Sequence, residues 1–122
     1  MNRSDYFQFD FERLDVYQKA LKFTNKVFRI TSGFSREFQY SLGEQFRRAA
    51  LSICNNIAEG SRKPGKSRIQ FYNYALDSTR ECIPMISIAT EQSQLDQERV
   101  VHLRQECIDI SRMLYRLVES AK

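Results

Sequence analysis

At 122 residues the chain can build one hydrophobic core and not two, and its 42% hydrophobic and 28% charged residues exclude a disordered composition. No apolar run approaches the roughly 18 residues of a membrane span, which sets aside a membrane-spanning helix. A formal charge of +4 and a pI near 9.1 suit an anionic partner without requiring one.

Only four Gly and two Pro punctuate the chain, so turns are few and elements long. The opening stretch, MNRSDYFQFDFERL, has neither the apolar centre nor the small-residue cleavage site of a secretory signal, and a cytoplasmic protein is expected. Residues 1–10 read as an extension and residues 11–122 as a single domain. Asp10 precedes FERLDVYQKALKFTNKVFRIT, a first helix that ends near Ser32 and Gly33. Ser41-Leu42-Gly43-Glu44 has the form of a capping box and opens a second helix, from about Leu42 to Glu59, which Gly60 stops from its C′ position. Ser67-Arg68-Ile69-Gln70 has the same form and opens a third, which runs to about Glu91 through Pro84. There the proline ring removes a backbone bond and bends the helix. A fourth runs from about Gln97 to Ser120. No strand is predicted, because apolar–polar alternation never persists. Short connections make neighbours antiparallel, and the chain reads as an all-α, up-down-up-down four-helix bundle.

The fourth helix has one apolar seam: Val100, Leu103, Cys107, Ile110, Leu114 and Leu117 keep a three-four spacing, with Arg99, His102, Glu106 and Asp109 turned away. The first helix has two. Leu14, Tyr17, Leu21, Thr24 and Phe28 form one, while Val16, Ala20, Phe23, Val27 and Ile30 form another, rotated by roughly 110°. The third helix repeats this, with Ile69, Tyr72, Leu76, Thr79, Ile83 and Ile86 against Phe71, Ala75, Ser78, Cys82, Met85 and Ala89. The second seams are either a generous core or a subunit interface. A solvent-exposed apolar patch of that length is a solubility liability, which favours an interface through Val16, Ala20, Phe23, Val27, Ile30, Phe71, Cys82 and Met85, and so a homo-oligomer.

Lys19, Lys22, Lys26 and Arg29 share the remaining arc of the first helix, and Arg62, Lys63, Lys66 and Arg68 crowd the loop after the second, with no acid from Ser61 to Arg68. These eight cations are spaced to meet the phosphates of RNA or DNA, or else are solvating charge. Catalysis is not expected. The single histidine, His102, lies among exposed charges, no Glu-x-x-His pair of the di-iron bundles occurs, and no base accompanies Cys54, Cys82 or Cys107. The cysteines form no CxxC pair and lie on apolar faces, so neither a metal nor another cofactor is expected. Lys63-Pro64-Gly65-Lys66-Ser67 lacks the upstream glycine and strand of a phosphate-binding loop.

Three stretches carry a family resemblance: FERLDVYQKA from Phe11 to Ala20, Tyr40-Ser41-Leu42 with QFRRAALSI from Gln45 to Ile53, and Asn56-Ile57-Ala58-Glu59-Gly60. Over nearly all of the chain beyond the first ten residues, it resembles the four-helix-bundle proteins encoded within intervening sequences of bacterial 23S ribosomal RNA genes. The resemblance implies an antiparallel bundle assembled as a homopentamer. The family is also similar to the accessory proteins of diversity-generating retroelements, basic pentamers that bind nucleic acid and a reverse transcriptase. A ribosome-associated or RNA-binding role follows from gene context and charge. The chain departs from the family pattern in having Cys54 where a proline is expected, a loop after Gly60 one residue short, and Pro84 within the third helix.

Two functions of different kind therefore stand: a non-enzymatic homo-oligomer that binds RNA or DNA through its basic surfaces, and a scaffold that recruits a partner protein. No membrane partner is expected, and a small-molecule or metal-binding bundle would need polar groups converging in the core. On the second helix, Asn56 falls on the seam of Leu42, Phe46, Ala49, Ile53 and Gly60, and Asn55 on a stripe with Arg48 and Glu59. Asn56 is thus either a buried polar lock that fixes register, part of a pocket, or exposed.

Overall fold

The computed structural model describes residues 7–122. A 3-10 turn, Asp10–Arg13, leads into α1 (Asp15–Ser32), then come a one-turn helix α2 (Arg36–Gln39), α3 (Leu42–Ser61), α4 (Gly65–Glu91) and α5 (Gln97–Ala121). The described residues hold four long helices and no strand. None is long and apolar enough to cross a membrane.

Neighbours in the chain are neighbours in space: α1 packs on α3, α3 on α4, α4 on α5, and α5 closes back more lightly on α1. Along α1 and α3 the meeting residues run in opposite senses, Thr24 against Ala50 and Cys54, Thr31 against Arg47. Between α3 and α4, Ser52 meets Ser78 while Gly60 lies against Tyr72. Phe23, Phe46, Ile53, Ile57, Ile86, Leu103, Ile110 and Leu114 fill the centre. Phe34 and Leu95, from the loops at one end, plug it.

Small residues let α1 and α3 approach. The Thr24 hydroxyl lies 2.8 Å from the carbonyl of Ala20 in its own helix and 3.1 Å from that of Ala50 across the interface. A buried hydroxyl so placed is satisfied locally and still marks the packing register.

The helix ends correct several expectations. Neither capping box forms: the Ser41 hydroxyl donates backwards to the Glu37 carbonyl, Glu44 pairs with Arg48 at 3.0 Å, and Ser67 sits inside α4, which opens at Gly65 behind Pro64. Nor does Asp10 cap the first helix, which starts five residues later behind an extended Leu14. Gly60 does not stop α3. It is buried within that helix, and a Cβ on it would lie 2.9 Å from the Tyr72 ring, so the missing side chain serves close helix approach. Two ends conform to known chemistry. Asp96 accepts the Arg99 amide at 2.8 Å and caps α5. After α4, Ser93 takes φ 60°, its amide reaching Thr90 and that of Gln94 reaching Ala89, a Schellman closure with serine in the place glycine usually holds. Pro84 lies on the exposed side of α4, which continues through it.

The second seam of α1 supplies most of its core residues. Val16, Ala20, Phe23 and Val27, assigned to a subunit interface, are buried in the chain's own core, as is Cys82 of α4. A side chain already enclosed by its own bundle has no surface to offer a second copy. Ile30, Phe71 and Met85 are only partly buried and keep an outward edge; of the seam expected inside, Thr24 is buried, Leu14, Tyr17 and Leu21 are partly buried, and Phe28 is exposed.

Candidate nucleic-acid interface

The eight predicted cations divide by what holds them. On α1, Lys19 reaches Asp109 of α5 at 3.6 Å, and Lys26 lies between His102 and Glu106 of the same helix. Both lysines act as ties between α1 and α5. Lys22 and Arg29 are exposed with no ion pair among the described residues, and seven residues of helix put them within roughly 20° of one direction. They are the outward cations of α1.

The connection from α3 to α4 is likewise mixed, and it is shorter than expected, since Lys66 and Arg68 lie in the first turn of α4 and not in the loop. Arg68 is consumed locally: its Nε donates to the Lys63 carbonyl at 2.8 Å and its Nη2 to the Ser61 carbonyl at 3.2 Å, which fixes the turn between α3 and α4. Arg62 and Lys63 share Glu59 at 3.9 and 3.8 Å, distances at which a solvated pair contributes little. Lys63 also lies over the Phe71 ring, 5.6 Å from its centre. Lys66 is exposed, with no ion pair among the described residues. The open cations are therefore Lys22 and Arg29 on α1, with Arg62 and Lys66 where α3 gives way to α4, while Lys63 is half-buried.

Asn56 is half-buried rather than buried. Its Nδ2 donates to the Ser52 carbonyl at 2.8 Å and lies 3.0 Å from the Ser52 hydroxyl, which in turn meets Ser78 of α4 at 2.7 Å. The polar link between α3 and α4 thus runs through Ser52, with Asn56 behind it. Asn55 is exposed.

Sequence reasoning passed over three features. Arg47 donates to the Thr31 hydroxyl and the Gln39 carbonyl, both at 2.9 Å, and so ties α2 and the end of α1 to α3. Val101, Ile108 and Tyr115, at seven-residue spacing, leave an apolar line on the outside of α5. Beside it a groove of about 470 Å³ between α4 and α5 is lined by Leu76, Ile83, Ile108 and Tyr115, with Asp77 and Arg80 at its edge. The third is Phe7 and Phe9, exposed ahead of α1; the alternation Phe7-Gln8-Phe9-Asp10-Phe11 was their signal in the sequence.

All three cysteines are buried and free. Burial pushes the Cys54 thiol up despite its contact with Thr24, and the hydrogen bond to Cys107, reinforced by burial, pushes Cys82 far up. Neither offers a thiolate nucleophile. Among the described residues no group of histidine, cysteine and carboxylate side chains is arranged to hold a metal.

A helical bundle with exposed cations on α1 and at the α3–α4 turn is the class these observations define. Residues 12–116 match the 23S rRNA-intervening sequence protein family, and the chain belongs to that family. A solved structure of a protein of unknown function from the S23 ribosomal protein family of Bacteroides thetaiotaomicron is similar in fold, with a TM-score of 0.79 at 19% identity. The similarity covers 85% of this chain and 95% of that one. No curated protein matches the chain significantly.

Proposed function

We propose that the protein is a non-enzymatic, homo-oligomeric, antiparallel up-down-up-down bundle of the cytoplasm that binds RNA or DNA through its open cations. The observation that carries this reading is the pairing pattern: of the eight cations, Lys22, Arg29 and Lys66 are exposed with no ion pair among the described residues, and exposed Arg62 has only Glu59, at 3.9 Å. Cations held in tight pairs would have to break those pairs to reach phosphate; these do not. The family's link to 23S rRNA makes ribosomal RNA the first candidate ligand.

The opposed order of contacts along the helices supports the antiparallel arrangement. Support for self-assembly comes from the outer faces and not from the seam in the core. Phe28 and Leu51 are exposed on α1 and α3, and Val101, Ile108 and Tyr115 on α5. Two different apolar faces on one subunit suit head-to-tail contacts, which form a ring when the rotation between copies closes, and the family resemblance implies five members. The α4–α5 groove supports a second reading, a scaffold that receives a partner protein there without touching nucleic acid.

The discriminating experiment is anisotropy titration of labelled RNA and DNA with wild type and with the Lys22→Glu/Arg29→Glu variant at several salt concentrations. Affinity for wild type falls steeply with salt, and the variant binds more weakly with a shallower slope. Equal binding by both proteins would remove α1 from the interface.

A further inference from the structure

Ahead of α1 the aromatic rings form a ladder. Phe7 meets Phe9 edge-on at 5.3 Å, Phe9 stacks on Phe11 at 6.0 Å and 15°, and Phe11 meets Tyr17 edge-on at 5.0 Å. The two inner rings are partly buried, and Tyr17 packs against the core, so the ladder is anchored. Its outer rungs are not covered: Phe7 is 78% and Phe9 59% exposed. Phenylalanine has no polar group to satisfy, so these rings are apolar faces held in water.

Their neighbourhood is cationic on one side. Phe9 and Phe11 share a groove of about 350 Å³ with Glu59 and Arg62, and exposed Lys66 follows in the first turn of α4. Asp10 and Glu59 also border the groove, so a polyanion is repelled from its floor and drawn to the Arg62–Lys66 side.

We propose that Phe7 and Phe9 are a stacking platform for unpaired bases, and that the phosphates of the same strand lie on Arg62 and Lys66. The inference rests on the nucleic-acid reading and deepens it, naming the ligand class as a single strand. A ring face can stack only on a base face that is free, and a duplex hides its base faces except at its ends. The cations alone bind either form; the rings beside them discriminate.

The chain contains no tryptophan, which gives the test a clean reporter. Wild type, Phe7→Ala/Phe9→Ala and Phe9→Trp are titrated with a single-stranded RNA, a DNA strand of the same sequence, and the corresponding duplex, with circular dichroism as the check on folding. The alanine variant, folded as wild type, loses about tenfold or more in affinity for both single strands and keeps its duplex affinity and salt slope. Phe9→Trp retains binding, and single strand quenches its fluorescence. Dependence on RNA alone would add contact with the 2′-hydroxyl to the stacking. Undiminished single-strand binding by the alanine variant overturns this inference while leaving the nucleic-acid reading intact. Absence of binding by wild type to any polynucleotide overturns both. A smaller assembly for the alanine variant in light scattering assigns the rings to a subunit contact and also overturns it.

Discussion

At the scale of single residues, the same amino acid does different work according to what lies opposite. Gly60, preceding a basic loop, has the sequence context of a helix stop, yet it lies inside α3 because the Tyr72 and Phe71 side chains of α4 occupy the space a Cβ would take. Gly60→Ala is predicted to cost about 1–3 kcal/mol in denaturant unfolding, through overpacking and not through backbone strain. Gly33→Ala is the control: that glycine is right-handed helical and its added Cβ meets nothing nearer than the Ile30 carbonyl at 3.4 Å, so stability stays within about 0.5 kcal/mol. The capping boxes misled for a related reason. A Ser-x-x-Glu spacing specifies a cap only when nothing better competes, and here Glu44 finds Arg48 while the Ser41 hydroxyl turns to Glu37. The cysteines were legible as buried thiols from their apolar faces alone. A thiol whose folded pKa lies above its unfolded value keeps its proton after the unfolded chain has lost it. Its contribution to stability is therefore whole below the ordinary thiol range, about 8.5, and drains away as pH rises above it. The urea midpoint is expected to fall from about pH 8 to about pH 10, more gently in Cys82→Ala, and thiol reagents are expected to label the three cysteines only on unfolding.

At the scale of elements, the four long helices were legible, because periodicity and the scarcity of Gly and Pro leave little else. Which arc of each helix faces the core was not. Two apolar seams roughly 110° apart on α1 satisfy the same periodicity, and only the placement of α3 and α5 decides between them. The core took Val16, Ala20, Phe23 and Val27, with Thr24 and Thr31 accommodated because each hydroxyl bonds a carbonyl one turn back. The charged face divides for the same reason: four cations on one helix arc look equivalent in sequence until α5 supplies Asp109 and Glu106 beside two of them. Lys26 and Glu106 are both largely shielded from solvent, so Glu106→Gln leaves the Lys26 charge uncompensated. It is predicted to destabilise the bundle by about 1 kcal/mol, and raising salt is predicted to narrow the gap from wild type. The same reasoning makes Lys26 a poor probe of ligand binding, since its reversal disturbs the α1–α5 contact.

For the whole molecule, the order of helices follows from short connections, and the bundle leaves apolar surface on outer faces that the sequence did not single out. Val101, Ile108 and Tyr115 were hidden by the clearer core seam of the same helix, which absorbs the periodic signal. If these faces join subunits, Ile108→Asp/Tyr115→Asp lowers the mass in light scattering to that of a smaller species while circular dichroism stays helical; a monomeric wild type would contradict assembly outright. Nucleic-acid binding is the central claim, and its most direct test is the salt dependence of RNA affinity in wild type and in Lys22→Gln/Arg29→Gln, two exposed substitutions that leave the ties to α5 intact. The account predicts a steep negative slope of log affinity against log salt for wild type, reduced in the variant by about 0.7 for each phosphate of a single strand that is no longer neutralised. A wild-type affinity that does not respond to salt, or a slope the two substitutions leave unchanged, would contradict it.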